Sequence, residues 1–291
     1  MQQSRITQRT SPQSPPHNRG NTGPGAAISA WFIVGPTAGG KTAVAEHIAR
    51  EYGYEILSAD SMLVYRGMDI GTAKPAQDVR ASIRYHGIDL VDPTEPFSAG
   101  RYRGYAADIL KQNADKGLKT IVAGGTGLYV KALTDGLAAA AETDPQARTR
   151  WTEVHERDGI AGLQKALQEK NPASYEALAD KQNPRRLIRA LEFAGEDPAR
   201  GAWKEQKGQK TPLVGLAWSV SDLNGRIEAR VSDMYRLGLV DEVRNLLSRY
   251  GELSPTARQA IGYAEAIDLL AGRCSTDAAK EKTVQRTRQL A

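Results

Sequence analysis

The eight residues Gly35-Pro-Thr-Ala-Gly-Gly-Lys41-Thr42 constrain this chain more than any other feature. They fit the spacing G-x-x-x-x-G-K-[ST] and stand directly behind Ala30-Trp-Phe-Ile-Val34, a short apolar run that reads as a buried strand. Residues 42–50 have helical composition, so the motif sits between a strand and a helix. In that setting glycine lets the backbone curl until consecutive N–H groups converge on phosphate oxygens, and the helix N-terminus adds partial positive charge. Lys41 adds a full charge, and the Thr42 hydroxyl is suited to hold a magnesium ion. Gly35, Pro36, Thr37, Ala38, Gly39, Gly40, Lys41 and Thr42 are therefore the candidate nucleotide- or diphosphate-binding residues. The spacing implies a bound di- or triphosphate, ATP included, without choosing between them.

Similar units follow. Glu55-Ile-Leu-Ser58 reads as a second strand, closed by Ala59-Asp60-Ser61. Ser98 is a helix N-cap, and Tyr102, Tyr105, Ala106, Ile109 and Leu110 repeat behind it at helical spacing until about Gly117. Residues 119–123 form another apolar run ending in Gly124-Gly125. Repeated strand–turn–helix units predict an α/β fold, a phosphate-loop (P-loop) parallel sheet flanked by helices. From 138 to 209 strand-like runs vanish and helix formers dominate, with helix-compatible pieces at 149–157 and 187–193. This stretch is predicted to be a helical insertion subdomain. Residues 213–218 return to strand character, and 223–291 is helical, with Ile227, Val231, Met234, Leu237, Val243, Leu246 and Leu247 on roughly one face. The expected organisation is a tail at 1–27, a catalytic core at 28–137, the insertion at 138–209 and the core continued at 210–291.

Composition narrows the setting. The 291 residues are 40% hydrophobic, ample for a core, and the net charge of +5 suits a phosphate-rich partner without establishing one. Cys274 is the only cysteine, which excludes an intrachain disulfide and a cysteine-built metal site and fits a reducing cytosol. His17, His47, His86 and His155 show no ligand spacing, so no zinc site is expected. Residues 1–27 are rich in Gln, Ser, Pro, Asn and Gly and lack a signal-peptide core; they read as a disordered tail. Only 28–34 is mostly apolar nearby, with Pro24, Gly25, Pro36 and Gly39 around it, so no membrane helix forms there. A cytoplasmic monomer is the expectation.

Four groups of side chains could carry chemistry. Asp60 ends the second strand, at the sheet edge where open parallel sheets bind ligands. It could take a proton from a nucleophile, or serve as a turn or cap aspartate. Gly124-Gly-Thr-Gly-Leu-Tyr129 permits close backbone approach and offers the Thr126 hydroxyl, or is simply a tight turn. Arg185, Arg186 and Arg189 share one helical turn, a spacing that serves either an RNA-gripping cluster or a solvated face. Arg226 and Arg230 could clamp phosphate or pair with Glu228 and Asp233.

Together these residues resemble a known family. The loop at 35–42, the run Ser58-Ala-Asp60-Ser61-Met-Leu-Val-Tyr65-Arg66-Gly-Met-Asp-Ile-Gly71-Thr-Ala-Lys74-Pro75, and the segment 124–129 are similar to tRNA dimethylallyltransferase. Further matches are Asp144-Pro145 with Arg148, Arg185-Arg186-Leu-Ile-Arg189-Ala-Leu-Glu192, Arg226-Ile-Glu-Ala-Arg230, Met234, Gly238-Leu239, Gly262-Tyr263 and Thr287-Arg-Gln-Leu-Ala291, so the resemblance runs from about Trp31 to the last residue. It implies transfer of a dimethylallyl group from dimethylallyl diphosphate, with Mg2+, to N6 of the adenosine 3′ to the anticodon in tRNAs reading codons that begin with U. Asp60 matches the general base, Thr42 the residue beside magnesium and diphosphate, and Arg230 the arginine that meets the leaving group with Lys41. Asp60, Ser61, Met62, Leu63, Thr126, Arg148, Arg185, Arg186 and Arg189 match tRNA-contacting positions, and the insertion would clamp the anticodon stem-loop.

Some positions depart from the family pattern. Gly39 stands where serine is usual, Arg185 where glutamine is common, and Tyr85-His86-Gly87-Ile88-Asp89 keeps only part of a His-His-Leu-Ile-Asp-like segment. The family also continues beyond the final Leu290-Ala291 into a basic stretch. A P-loop small-molecule kinase would share the loop and an Asp60-like base. An isopentenyltransferase acting on free adenine nucleotides would share the chemistry, and a non-catalytic RNA-binding protein would share only the basic surface. The 58–75 run speaks against the first, the long insertion and C-terminal helices against the second, and the joint presence of Lys41, Thr42 and Asp60 against the third.

Overall fold

The computed structural model describes residues 30–136, 145–193 and 212–291. The expected tail at 1–27, Asp144 and the expected insertion boundaries at 138 and 209 lie outside the described residues. The first half runs β1 (Ala30–Val34), α1 (Lys41–Tyr52), β2 (Glu55–Ser58), α2 (Gln77–Ser82), β3 (Tyr85–His86), α3 (Ala99–Asp115), β4 (Thr120–Gly124) and α4 (Gly127–Lys131), with a π-helical turn at Ala132–Gly136. Then come α5 (Pro145–Lys170), α6 (Pro172–Ala177) and α7 (Pro184–Glu192). The chain closes with β5 (Leu213–Gly215), α8 (Val220–Arg236), α9 (Leu239–Tyr250), α10 (Pro255–Arg258), α11 (Tyr263–Leu270) and α12 (Thr276–Leu290).

All five strands are parallel, in the order β3-β2-β4-β1-β5. Side chains alternate across a strand, and the sequence places an apolar residue at both phases of the central strands. Phe32, Leu57 and Val122 therefore pack on one face with Tyr102 and Ala106 of α3 and Tyr129 of α4. Ile33, Ile56 and Ile121 pack on the other with Ala45 and Ala49 of α1. Burial on both faces is what makes these runs continuously hydrophobic.

The insertion has its own core. Leu163 and Leu167 of α5 meet Leu187 and Leu191 of α7, all four buried, each contributing about 1.5–3 kcal/mol by leaving water. Gly159, with φ 67, breaks the helical path of α5 into two rods. A further core joins Val64, Tyr65 and Met68 to α8, α9 and α11 through Met234, Val243 and Tyr263. It seats the long 58–75 run against the C-terminal helices.

Three sequence expectations change. Strand character predicted for 213–218 stops at Gly215, although Leu216 N still donates to Val34 O at 2.9 Å. Val34 is the last residue of β1, so beyond it β5 has no neighbour to pair with. Ser219 then caps α8 by accepting from Asp222 N, so the helix begins at Val220, three residues before the predicted start. Leu237 does not share the buried face: α8 ends there, Gly238 turns with φ 98, and Leu237 is 61% exposed. The two-residue strand β3 gives no apolar run to find in sequence.

Candidate active site

The carboxyl ends of β1, β2 and β4 open on one cleft of about 740 Å³. The 35–42 loop leaves β1 and enters α1, with Gly40 in the left-handed region at φ 85. Lys41 Nζ donates to Gly35 O at 3.0 Å and Pro36 O at 2.7 Å, which folds the side chain back over the loop. Burial pulls the Lys41 ammonium below the ordinary lysine range; nearby Asp60 opposes this and Arg230 adds to it. Thr42 also lines the cleft.

The second wall is the turn after β2. Asp60 Oδ1 accepts from Met62 N at 2.8 Å, and Thr126 Oγ1 accepts from Ser61 N at 3.0 Å. Asp60 is thus a turn aspartate and a cleft carboxylate at once. A side chain at Gly124 would put its Cβ 2.2 Å from Ala59 O, so only glycine lets β4 end against this turn. Behind it Tyr102 stacks on Tyr129 with ring centres 3.9 Å apart, and Tyr102 OH donates to Ser58 O.

The third wall comes from distant sequence. Arg230 of α8 reaches the cleft, with Nη2 3.5 Å from Thr72 O and its buried Nε without a hydrogen-bond partner. Burial lowers its proton affinity while Asp60 raises it, and a guanidinium remains charged under either influence. A charged, part-buried donor set with unused N–H capacity is a fitting receptor for a phosphate oxygen. Gly71 lies against Tyr263, whose hydroxyl donates to Glu242 at 2.5 Å, and Glu242 in turn accepts from Asp69 N and Ile70 N. This network seats Thr72 at the cleft. Thr283 and Thr287 of α12 also line it; Thr287 opens the 287–291 run matched in sequence, while Thr283 belongs to no such run.

The arginine cluster divides. Arg185 lines the cleft and donates to Gln259 Oε1 at 2.6 Å, linking α7 to the segment before α11. Arg186 is exposed. Arg148 and Arg189 instead bind Glu192, whose side chain is fully buried. The pairings open to Arg226 and Arg230 in sequence do not form: Glu228 takes Arg288 and Asp233 takes Arg236. Arg226 donates to Ala38 O at 2.7 Å, on the 35–42 loop itself.

Among the described residues no group of three or more His, Cys, Asp or Glu could hold a metal ion. Magnesium commonly takes few protein ligands and several oxygens from water and substrate phosphates. The Thr42 hydroxyl at the edge of a roomy cleft that also holds Asp60 fits that habit. Among the described residues no helix is long and apolar enough to cross a membrane.

The sequence profile of the IPP transferase family matches residues 63–291, and that of the isopentenyl transferases matches 28–86. The chain belongs to the IPP transferase family. As a family member it is 40% identical over 254 residues to the tRNA dimethylallyltransferase of Anaeromyxobacter dehalogenans, covering 85% of this chain and 84% of that one. It is 37% identical over 267 residues to the enzyme of the same name from Bifidobacterium animalis, covering 89% and 76%. The crystal structure of full-length tRNA isopentenylpyrophosphate transferase from Bacillus halodurans is similar with a TM-score of 0.63 at 33% identity, covering 89% of this chain and 83% of that one. A eukaryotic dimethylallyltransferase acting on tRNA shares the fold, with a TM-score of 0.75 at 22% identity over 90% of this chain and 68% of its own.

Proposed function

We propose that this chain transfers a dimethylallyl group from dimethylallyl diphosphate to N6 of the adenosine 3′-adjacent to the anticodon, in tRNAs reading codons that begin with U. The observation that carries the reading is the meeting of Lys41, Thr42, Asp60 and Arg230 in one cleft that also reaches Arg185 of the insertion. Family membership and the tRNA-modifying names of its relatives support the substrates.

In the proposed reaction N6 attacks the first carbon of the allyl group. The carbon–oxygen bond to diphosphate breaks as the N6–carbon bond forms, and the leaving oxygen keeps the electron pair. Asp60 takes the proton released from N6, a role worth about 10²–10⁴-fold for a positioned base. Lys41, Arg230 and the loop N–H groups meet the charge that grows on the diphosphate. The Thr42 hydroxyl would help hold a magnesium ion, which would supply further charge neutralisation when bound. The target base leaves its stack to reach Asp60, at a cost of a few kcal/mol. Ser61, Met62, Leu63 and Thr126 form the wall it would meet, and Arg185 and Arg186 the surface facing the RNA backbone.

Labelled dimethylallyl diphosphate, magnesium and a tRNA reading U-initial codons should give labelled N6-isopentenyladenosine on nucleoside analysis. Label on free adenine nucleotides alone, or phosphate transfer from ATP with no prenylation, would overturn the proposal.

A further inference from the structure

We infer that Trp218 and Arg226 are positioning residues that brace the phosphate-binding loop from outside and so aim its N–H groups at the diphosphate. The inference rests on the reading of that loop as the donor site. Trp218 Nε1 donates to Gly39 O at 2.9 Å and Arg226 Nε donates to Ala38 O at 2.7 Å. The Arg226 guanidinium lies 4.3 Å from the centre of the Trp218 ring, so each side chain holds the other. Pairing of β5 with β1, extended by the bond from Leu216 N to Val34 O, delivers Trp218 to the back of the loop at the point where the loop begins.

A trans peptide points its C=O and N–H in opposite directions. Tying the Gly39 carbonyl on the outer side therefore commits Gly40 N–H to the other side. Tying the Ala38 carbonyl fixes the next peptide in its turn bond, Gly39 N–H to Pro36 O at 3.2 Å, so this second tie holds the shape of the loop while the first aims Gly40 N–H. The loop needs this help. Ala38 is held at φ 59, a left-handed conformation that non-glycine residues rarely adopt, and two glycines follow it. Nor can a side chain at 39 stiffen it at no cost, because a Cβ there would lie 2.9 Å from Pro36 O. The rigidity comes from residues about 180 positions away, the separation of both brace bonds in sequence.

The test uses the full chain. Trp218→Phe keeps a ring for stacking and removes only the indole N–H; Arg226→Lys keeps the charge and loses the bond-plus-stack geometry. Each should weaken binding of inorganic diphosphate with magnesium, and raise donor KM, about five- to tenfold, with tRNA KM and thermal midpoint unchanged. The double variant should lose less than the product of the two, since the residues act as one unit. Diphosphate affinity unchanged in both folded variants, or a loss that merely follows a fall in thermal midpoint, would overturn the brace. Should the phenylalanine variant not fold, Arg226→Lys alone decides. A wild-type chain that fails to bind diphosphate would instead overturn the reading of the loop, so the two failures are distinct.

Discussion

Arg148 Nε lies 2.5 Å from Oε1 of Glu192, and Arg189 Nη1 lies 2.9 Å from Oε2 of the same carboxylate. The Glu192 side chain is fully buried while Arg148 is 61% exposed, so the bridge pins the start of α5 to the end of α7. Removing the carboxylate takes away charged hydrogen bonds. Glu192→Ala should cost about 2 kcal/mol of stability, measured as a lowered urea midpoint. An unchanged midpoint would leave the bridge without structural weight.

Arg185 and Arg186, by contrast, are not tied to Glu192, and should answer to RNA. Alanine at both positions should weaken tRNA binding and flatten its salt dependence by about one phosphate contact each. Donor binding should stay constant. Filter binding across a salt series reads the slope, and a slope equal to wild type would mark this pair as a solvated face only.

At Asp60 the turn and the chemistry can be separated. Asparagine still accepts from Met62 N through its amide oxygen, which preserves the turn. It cannot take a proton. Asp60→Asn should therefore lower kcat about 10²-fold or more with both substrates still bound. Single-turnover kinetics check this, and a rate within a few-fold of wild type would remove Asp60 from the chemistry.

Lys41 sets an alkaline limit. Its ammonium is charged below its pKa, and burial has brought that pKa down from the usual 10.5. Donor affinity should hold through neutral pH and fall as pH rises, with onset earlier than for an exposed lysine. Lys41→Arg, which stays charged, should abolish that limb. A donor KM profile with the same limb in both proteins would place the titration elsewhere.

Gly124→Ala should be costly, because the added Cβ meets Ala59 O, a backbone atom that cannot swing aside. A destabilisation of about 3 kcal/mol, at the upper end for overpacking, should appear in the denaturant midpoint, with activity lost as the Asp60 turn shifts.

The local half of this protein could be read from its residues. The strands at 30–34 and 55–58, the Ser98 cap and the loop at 35–42 each depend on neighbours in sequence: apolar runs, a hydroxyl three residues ahead of its acceptor-seeking N–H, glycines at 35 and 40 where φ is positive. Where a bond depended on a partner in space, periodicity fell short. The end of β5 was set by where β1 stops, and the exposure of Leu237 by a turn at Gly238.

The same division runs through the active site. Lys41, Thr42 and Asp60 follow strand ends, and a parallel sheet necessarily gathers its strand ends at one edge, so sequence alone determined that they would share a cleft. Arg185, Arg186 and Arg189 look alike in sequence, since spacing on a helix says which residues are neighbours and not which face they turn to a partner, and Arg148 joins them only through the family resemblance. Only the tertiary structure separated Arg185 at the cleft from Arg148 and Arg189 on a buried glutamate. It also decided what Arg226 and Trp218 hold, because carbonyls at 38 and 39 have no sequence signature and become partners only when β5 is laid beside β1.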